Sequence, residues 1–242
     1  MTTKAIILAA GRGSRMKSLT DDRPKCLVEF RGKPLLHWQL EALRTAGVCD
    51  IALVTGYRRD ALAGFGLREF HNERWAETNM VTSLSCAREW LESGDCIVSY
   101  SDIVYKRAAV DAVLGSEADL AVAYDLDWLR LWTARFGDPL KDAETFRIDE
   151  TARILEIGQK PASVAEIQGQ YMGLLHFRPV AWQALQRVRE GLGPARRDRL
   201  DMTGALQLLI LSGYAVFGVP IHSQWAEFDS EEDLLRVGAL AP

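Results

Sequence analysis

Gly11, Gly13, Arg15 and Lys25 fall close together directly after a wholly apolar run, Ala5-Ile6-Ile7-Leu8-Ala9. They belong to the stretch Leu8-Ala9-Ala10-Gly11-Arg12-Gly13-Ser14-Arg15 and to the Pro24-Lys25 pair that follows it. A glycine-rich turn leaving a strand is a place where backbone N–H groups can face phosphate oxygens. Glycines at 11 and 13 would let the chain approach without a Cβ clash. The planar fork of Arg15 suits a departing pyrophosphate. Lys25, a compact charge, suits the α-phosphate, where negative charge builds in a transition state. Two other phosphate loops do not fit: Met16 stands where the dinucleotide fingerprint needs its third glycine, and the Gly-Lys-Ser/Thr of the P-loop is absent. The pattern suits a nucleoside triphosphate split between its α- and β-phosphates. On the glycines and cations alone, an ordinary turn with basic surface residues stays open.

Such a transfer needs a cation to neutralise the phosphates, held by hard oxygen ligands. Asp102 follows the apolar run Cys96–Tyr100 and Ser101, at the carboxyl end of an expected strand, where α/β sheets gather their ligands. Asp229, in Glu227-Phe228-Asp229-Ser230, is the second candidate, with Glu227 as its competitor. Asp229 also stands where a residue could simply cap the following helix.

The complete string resembles the L-A-A-G-x-G-x-R…P-K signature of MobA-like and sugar-phosphate nucleotidyltransferases with a GT-A-like fold, a superfamily that includes cytidylyltransferases. Leu8 to Arg15 matches throughout, Pro24-Lys25 falls at the expected distance, and the continuation P-K-C-L-V-x-F…G-K-P-L-L matches as well. The resemblance implies Mg2+ as cofactor at Asp102 and Asp229, Arg15 and Lys25 as the catalytic pair, and a nucleotide site built from Leu8, Ala9, Ala10, Gly11, Gly13, Ser14 and Ser101. It also implies in-line attack of an acceptor oxygen on the α-phosphorus, without a covalent intermediate. An acceptor that is already anionic needs no general base, so positioning and charge neutralisation carry the rate.

Tyr57 and the segment Glu77 to Leu84 are expected to flank the base, with Asn79 and Ser83 in reach of a pyrimidine edge. Thr78 or Asn79 would serve equally as a helix cap. The N-x-x-x-S-L run resembles phosphocholine and 2-aminoethylphosphonate cytidylyltransferases and favours CTP. The acceptor is expected in the second half, at Tyr124, Asp125, Lys160, Tyr171, Gly173, Asp201, Trp225 and Glu227. Acids beside aromatic rings suit an ammonium-bearing head, and Lys160 suits its phosphate. The expected reaction is therefore CMP transfer from CTP to a small phosphorylated or phosphonate acceptor resembling phosphocholine, aminoethylphosphonate or phosphoglutamine. A sugar-1-phosphate nucleotidyltransferase using UTP, dTTP or GTP, and a nucleotide sensor without chemistry, are the alternatives.

These residues need a scaffold. Apolar runs at Ala5–Ala9, Ile51–Thr55, Cys96–Tyr100 and Leu120–Tyr124 alternate with helical stripes, one opening at Pro34 and one running from Met80 to Leu91. The pattern predicts a doubly wound α/β fold, with a mostly parallel, Rossmann-like sheet of GT-A type. Phe146–Ile148, Ile154–Ile157 and Tyr171–Phe177 are closely spaced strand signals, read together as a small antiparallel excursion. Helices are expected over Val180–Val188 and Thr203–Leu211, strands over Val216–Pro220 and Trp225–Asp229, a mobile loop over Gly191–Arg199, and a last helix from a Ser230 cap through Val237. The 242 residues read as one domain, 1–125 for the nucleotide and 126–242 for the acceptor. A net charge of −4 argues against a general nucleic-acid binder. No apolar segment reaches membrane-spanning length. The four dispersed cysteines, Cys26, Cys49, Cys86 and Cys96, suggest neither zinc nor disulfides and fit a cytoplasmic protein. Apolar surface near the last helix would be compatible with a homodimer.

Overall fold

A computed structural model describes residues 2–222 and 224–237. Its centre is a seven-stranded sheet in the order β12-β8-β11-β6-β1-β4-β5. These strands are β1 (Lys4–Ala9), β4 (Ile51–Thr55), β5 (Arg68–His71), β6 (Cys96–Tyr100), β8 (Leu120–Asp125), β11 (Gln170–Phe177) and β12 (Phe217–Ile221). Short pairs lie outside it: β2 (Glu29–Phe30) with β3 (Lys33–Pro34), β9 (Phe146–Ile148) with β10 (Ile154–Ile157), and β7 (Ile103–Tyr105) with β13 (Trp225–Glu227). The helices are α1 (Leu35–Thr45), α2 (Met80–Ser85), α3 (Arg88–Ser93), α4 (Arg107–Leu114), α5 (Trp128–Phe136), α6 (Pro179–Glu190), α7 (Pro194–Asp198), α8 (Met202–Leu211) and α9 (Glu231–Arg236).

The sheet is covered on both faces, which is why its strands read as unbroken apolar runs. In β1, Ile7 joins a core with Leu36, Leu40 and Leu43 of α1 and Val110 of α4. Its neighbours Ile6 and Leu8 join a second core with Leu84 of α2, Leu91 of α3 and Trp182 of α6. The side-chain alternation of a single strand thus feeds two layers.

The doubly wound, mostly parallel architecture is the one expected, with one difference of placement. The strand expected over Tyr171–Phe177 is not part of the excursion. β11 lies inside the main sheet, antiparallel to both β6 and β8, and only β9 and β10 form the appended hairpin. The Met80–Leu91 stripe is two helices that meet at Cys86-Ala87, and the expected loop over 191–199 contains α7.

Two features position the site. β1 and β6 are parallel neighbours, so the chain leaving Ala9 and the chain leaving Tyr100 emerge side by side. β13 then pairs antiparallel with β7, with Glu227 opposite Ile103, and the Phe228 N–H donates to the Asp102 carbonyl at 3.0 Å. Residues more than a hundred positions apart are brought to one end of the sheet.

Candidate active site

Gly13 has φ +73°, a left-handed conformation that favours glycine. A Cβ placed there would lie 2.8 Å from Lys25 Cβ, so the missing side chain serves both the turn and the close passage of the lysine stem. Thr20 closes the loop by donating from Oγ1 to the Gly13 carbonyl at 3.3 Å. Lys25 follows Pro24 at the start of a single 3-10 turn, Lys25–Leu27, with its side chain only 7% exposed.

Lys25 Nζ sits 2.7 Å from Asp102 Oδ2 and 2.6 Å from Asp229 Oδ1. Arg15 Nη2 lies 2.8 Å from the same Asp229 oxygen. Burial disfavours the charged Lys25 ammonium, but Asp102 and Asp229 outweigh it and raise its pKa above the ordinary value. Asp229 loses solvation too, yet Lys25, Arg15 and Arg135 bring its carboxyl down to about 2. At Glu227, burial and the neighbouring Asp229 prevail over Arg135 and push the carboxyl up to about 8.

One oxygen from each of Asp102, Glu227 and Asp229 lies within 4.8 Å of the others. Asp102 Oδ1 is buried and has no hydrogen-bond partner among the described residues. An orphaned carboxylate oxygen within an all-oxygen donor set fits a hard divalent cation.

Two adjoining cavities open here, sharing Arg15, Met80 and Tyr100. The first, about 230 Å³, is lined by Leu8, Ala10, Gly11, Gly13, Lys25, Thr78, Asn79, Ser83, Ser101 and Asp102, all named from the sequence, and also by Trp75. Ala9 is buried in the sheet and Ser14 is exposed outside the cavity. Tyr57 does not reach it: its hydroxyl donates to the Thr20 and Asp21 carbonyls at 2.9 and 2.7 Å, and its ring packs on Trp75. Asn79 caps α2, accepting from the Met80 N–H at 2.7 Å, while its amide donates to the Arg199 carbonyl. Ser83 Oγ accepts from Asn72 at 2.9 Å.

The second cavity, about 240 Å³, is markedly acidic, with Asp142, Glu144, Asp201, Glu227 and Asp229 around Trp132 and Tyr171. Burial raises the pKa of Asp142 and of Glu144. Of the residues expected to hold an acceptor, Tyr171, Asp201 and Glu227 line it. Five others are placed elsewhere. Tyr124 turns into the core and stacks on Phe146 at 4.8 Å. Asp125 and Trp225 line a separate cavity of about 70 Å³. Lys160 is exposed and donates to the Leu140 carbonyl. Gly173 lies under the Tyr100 ring.

Arg135, Asp142 and Glu144 were not singled out from the sequence. Arg135 had a readable signal. Trp128, Leu131, Trp132 and Arg135 form the buried face of α5 at helical spacing, so a cation stands where an apolar residue is expected. Its side chain is 0% exposed and forks onto Glu227, Asp229 and Asp233.

A glycine turn after β1, a buried lysine, and carboxylates converging from the end of β6 and from β13 with its junction to α9 define a nucleotidyltransferase. The chain belongs to the MobA-like NTP transferase domain family, which matches residues 5–197. It is 37% identical to the CTP:phosphoglutamine cytidylyltransferase of Campylobacter jejuni, over 95% of this chain and 97% of that one. It is 36% identical to the choline-phosphate cytidylyltransferase of Haemophilus influenzae over 43% of this chain and 45% of that one. The fold matches the inositol-1-phosphate CTP transferase from T. maritima with a TM-score of 0.78 at 23% identity, covering 99% of this chain and 94% of that one.

Proposed function

We propose that the protein transfers CMP from CTP to a small phosphorylated or phosphonate acceptor with an amine or zwitterionic head. The observation that carries this reading is Lys25 Nζ, charged, buried and held between Asp102 and Asp229 beside the glycine turn. Magnesium is the proposed ion, held by Asp102 and Asp229 with Glu227 beside them; when bound it would supply charge neutralisation for the phosphates. The 230 Å³ cavity takes the nucleotide, with the backbone of Gly11 and Gly13 facing its phosphates. An acceptor oxygen forms its bond to the α-phosphorus as the α–β bridging bond breaks, and pyrophosphate leaves with that electron pair. Lys25 and Arg15 stabilise the charge that develops on the α-phosphate and the leaving group. No residue needs to remove a proton, because the attacking oxygen is already ionised.

The lean to CTP rests on the cytidylyltransferase relatives and on Asn79 and Ser83, which line the first cavity. The acceptor class rests on the acids of the second cavity, which suit a cationic nitrogen such as choline or an amino acid brings. Residence in a reducing cytoplasm belongs to the same proposal, and all four thiols are free. The test is pyrophosphate release from each of CTP, UTP, dTTP and GTP with phosphocholine, aminoethylphosphonate, phosphoglutamine and hexose-1-phosphates. Turnover is expected with CTP and an amine-bearing acceptor. Turnover with hexose phosphates alone rejects the acceptor class, and nucleotide binding without release rejects the enzyme.

A further inference from the structure

Three carboxylates of β13 and its α9 junction, Glu227, Asp229 and Asp233, are gathered onto one buried cation from a distant helix. Arg135 Nε donates to Asp233 Oδ1 at 3.0 Å, Nη2 to Asp229 Oδ2 at 3.0 Å, and Nη1 to Glu227 Oε2. The guanidinium lies beside the rings of Trp132 and Phe136, at 5.2 and 4.8 Å, and has no exposed surface. Asp233 is itself fixed, accepting the backbone N–H groups of Asp229 and Ser230, both at 2.9 Å.

The two oxygens of Asp229 are therefore divided. Oδ2 is held from behind by Arg135, and Oδ1 faces Lys25 and Arg15. Glu227 and Asp229 repel one another in a poorly solvated space, and the planar fork of Arg135 bridges both in one geometry. A lysine there would supply a single point of charge and could not span the three acceptors.

We infer that Arg135 is the positioning residue of the cation site, holding Glu227 and Asp229 from behind so that one oxygen of each stays within 4.8 Å of an Asp102 oxygen. This rests on the reading of Asp102 and Asp229 as cation ligands given above. A plain structural tie between α5 and α9 would make Arg135 matter for stability but not for metal affinity.

The probe is Mn2+, with its protein-bound fraction read by water-proton relaxation in the presence of CTP, in the wild type and in Arg135→Lys. Thermal unfolding and steady-state kinetics run alongside. The substitution is expected to weaken Mn2+ binding by about 10-fold or more, as loss of a partner behind a metal ligand does. Turnover should fall while the KM for CTP at saturating metal changes little. A folded Arg135→Lys protein with wild-type Mn2+ affinity overturns the inference. Should that variant not fold, Asp233→Asn keeps Arg135 but loosens the anchor behind Asp229. Weaker Mn2+ binding in it supports the inference, and unaltered binding overturns it. A wild-type protein that binds no Mn2+ overturns the inference together with the cation site it depends on.

Discussion

Lys25 keeps a charge where burial works against one, because two carboxylates meet its ammonium at 2.6 and 2.7 Å. That arrangement is what a developing phosphate charge requires: a cation already oriented, with little water to rearrange. Lys25→Ala should lower turnover by about 100-fold or more, as loss of one transition-state donor does, with only a modest loss of CTP affinity. Single-turnover rates and calorimetric CTP titration would measure the two effects. Undiminished turnover would mean that the charge acts elsewhere. Gly11, Gly13 and Arg15 were legible because they directly follow β1, and Asp102 because it directly follows β6, whereas Lys25, 77 positions from the Asp102 it touches, was legible through the Pro24-Lys25 pair of the signature. Arg135 was harder to read. Its partner Glu227 is 92 positions away, and only the β13–β7 register and the packing of α5 bring them together.

At the scale of elements, β11 carries the largest departure from the expected pattern. Its apolar run announced a strand, and antiparallel pairing was expected, but which sheet a strand joins is set by its connections and packing and not by its composition. β11 passes between β6 and β8 with a register shift against β8 between Tyr171 and Leu175. Gly173 sits within that irregularity at φ +76°, and a Cβ there would stand 2.7 Å from the Tyr100 ring. The bulge lets Tyr100 lie over the strand, and Tyr100 lines both cavities. The alternation along β8 also explains why Tyr124 belongs to the core, a distinction that apolar runs covered on both faces do not display. Gly173→Ala should cost about 1–3 kcal/mol, combining the left-handed backbone penalty with the displaced ring. At this chain length that corresponds to a melting shift of several degrees, roughly 2–4 °C per kcal/mol. Turnover should fall as well. A melting temperature equal to the wild type would show that the bulge absorbs a side chain without strain.

For the whole molecule, the same reversed strand couples folding to pH. His176 lies on β11 opposite Ile97 of β6 and Ala121 of β8, 3% exposed in the middle of the sheet. Burial lowers its pKa below the ordinary histidine value. Asp95, with Oδ2 at 3.7 Å from Nε2, and the Val113 backbone favour the charged ring, and Arg178 opposes it. In the unfolded chain the ring titrates near the free value of about 6.5. Between the two values the unfolded chain holds a proton that the folded chain refuses. Unfolding then takes up a proton, and stability must rise with pH across that window and level off above it. As pH falls through about 6.5 toward the lower folded value, the contribution of His176 turns increasingly against the fold. Burial also raises the carboxyl pKa of Asp142, Glu144 and Glu227, so the comparison needs a variant that lacks only this proton. Denaturation midpoints of the wild type and of His176→Gln, measured from about pH 7.5 down to about pH 5.5, supply it. Whatever packing advantage the histidine holds at the upper end should shrink steadily toward the lower end. A difference that stays flat with pH would mean that the sheet admits the charged ring, and that burial at its centre does not control protonation there.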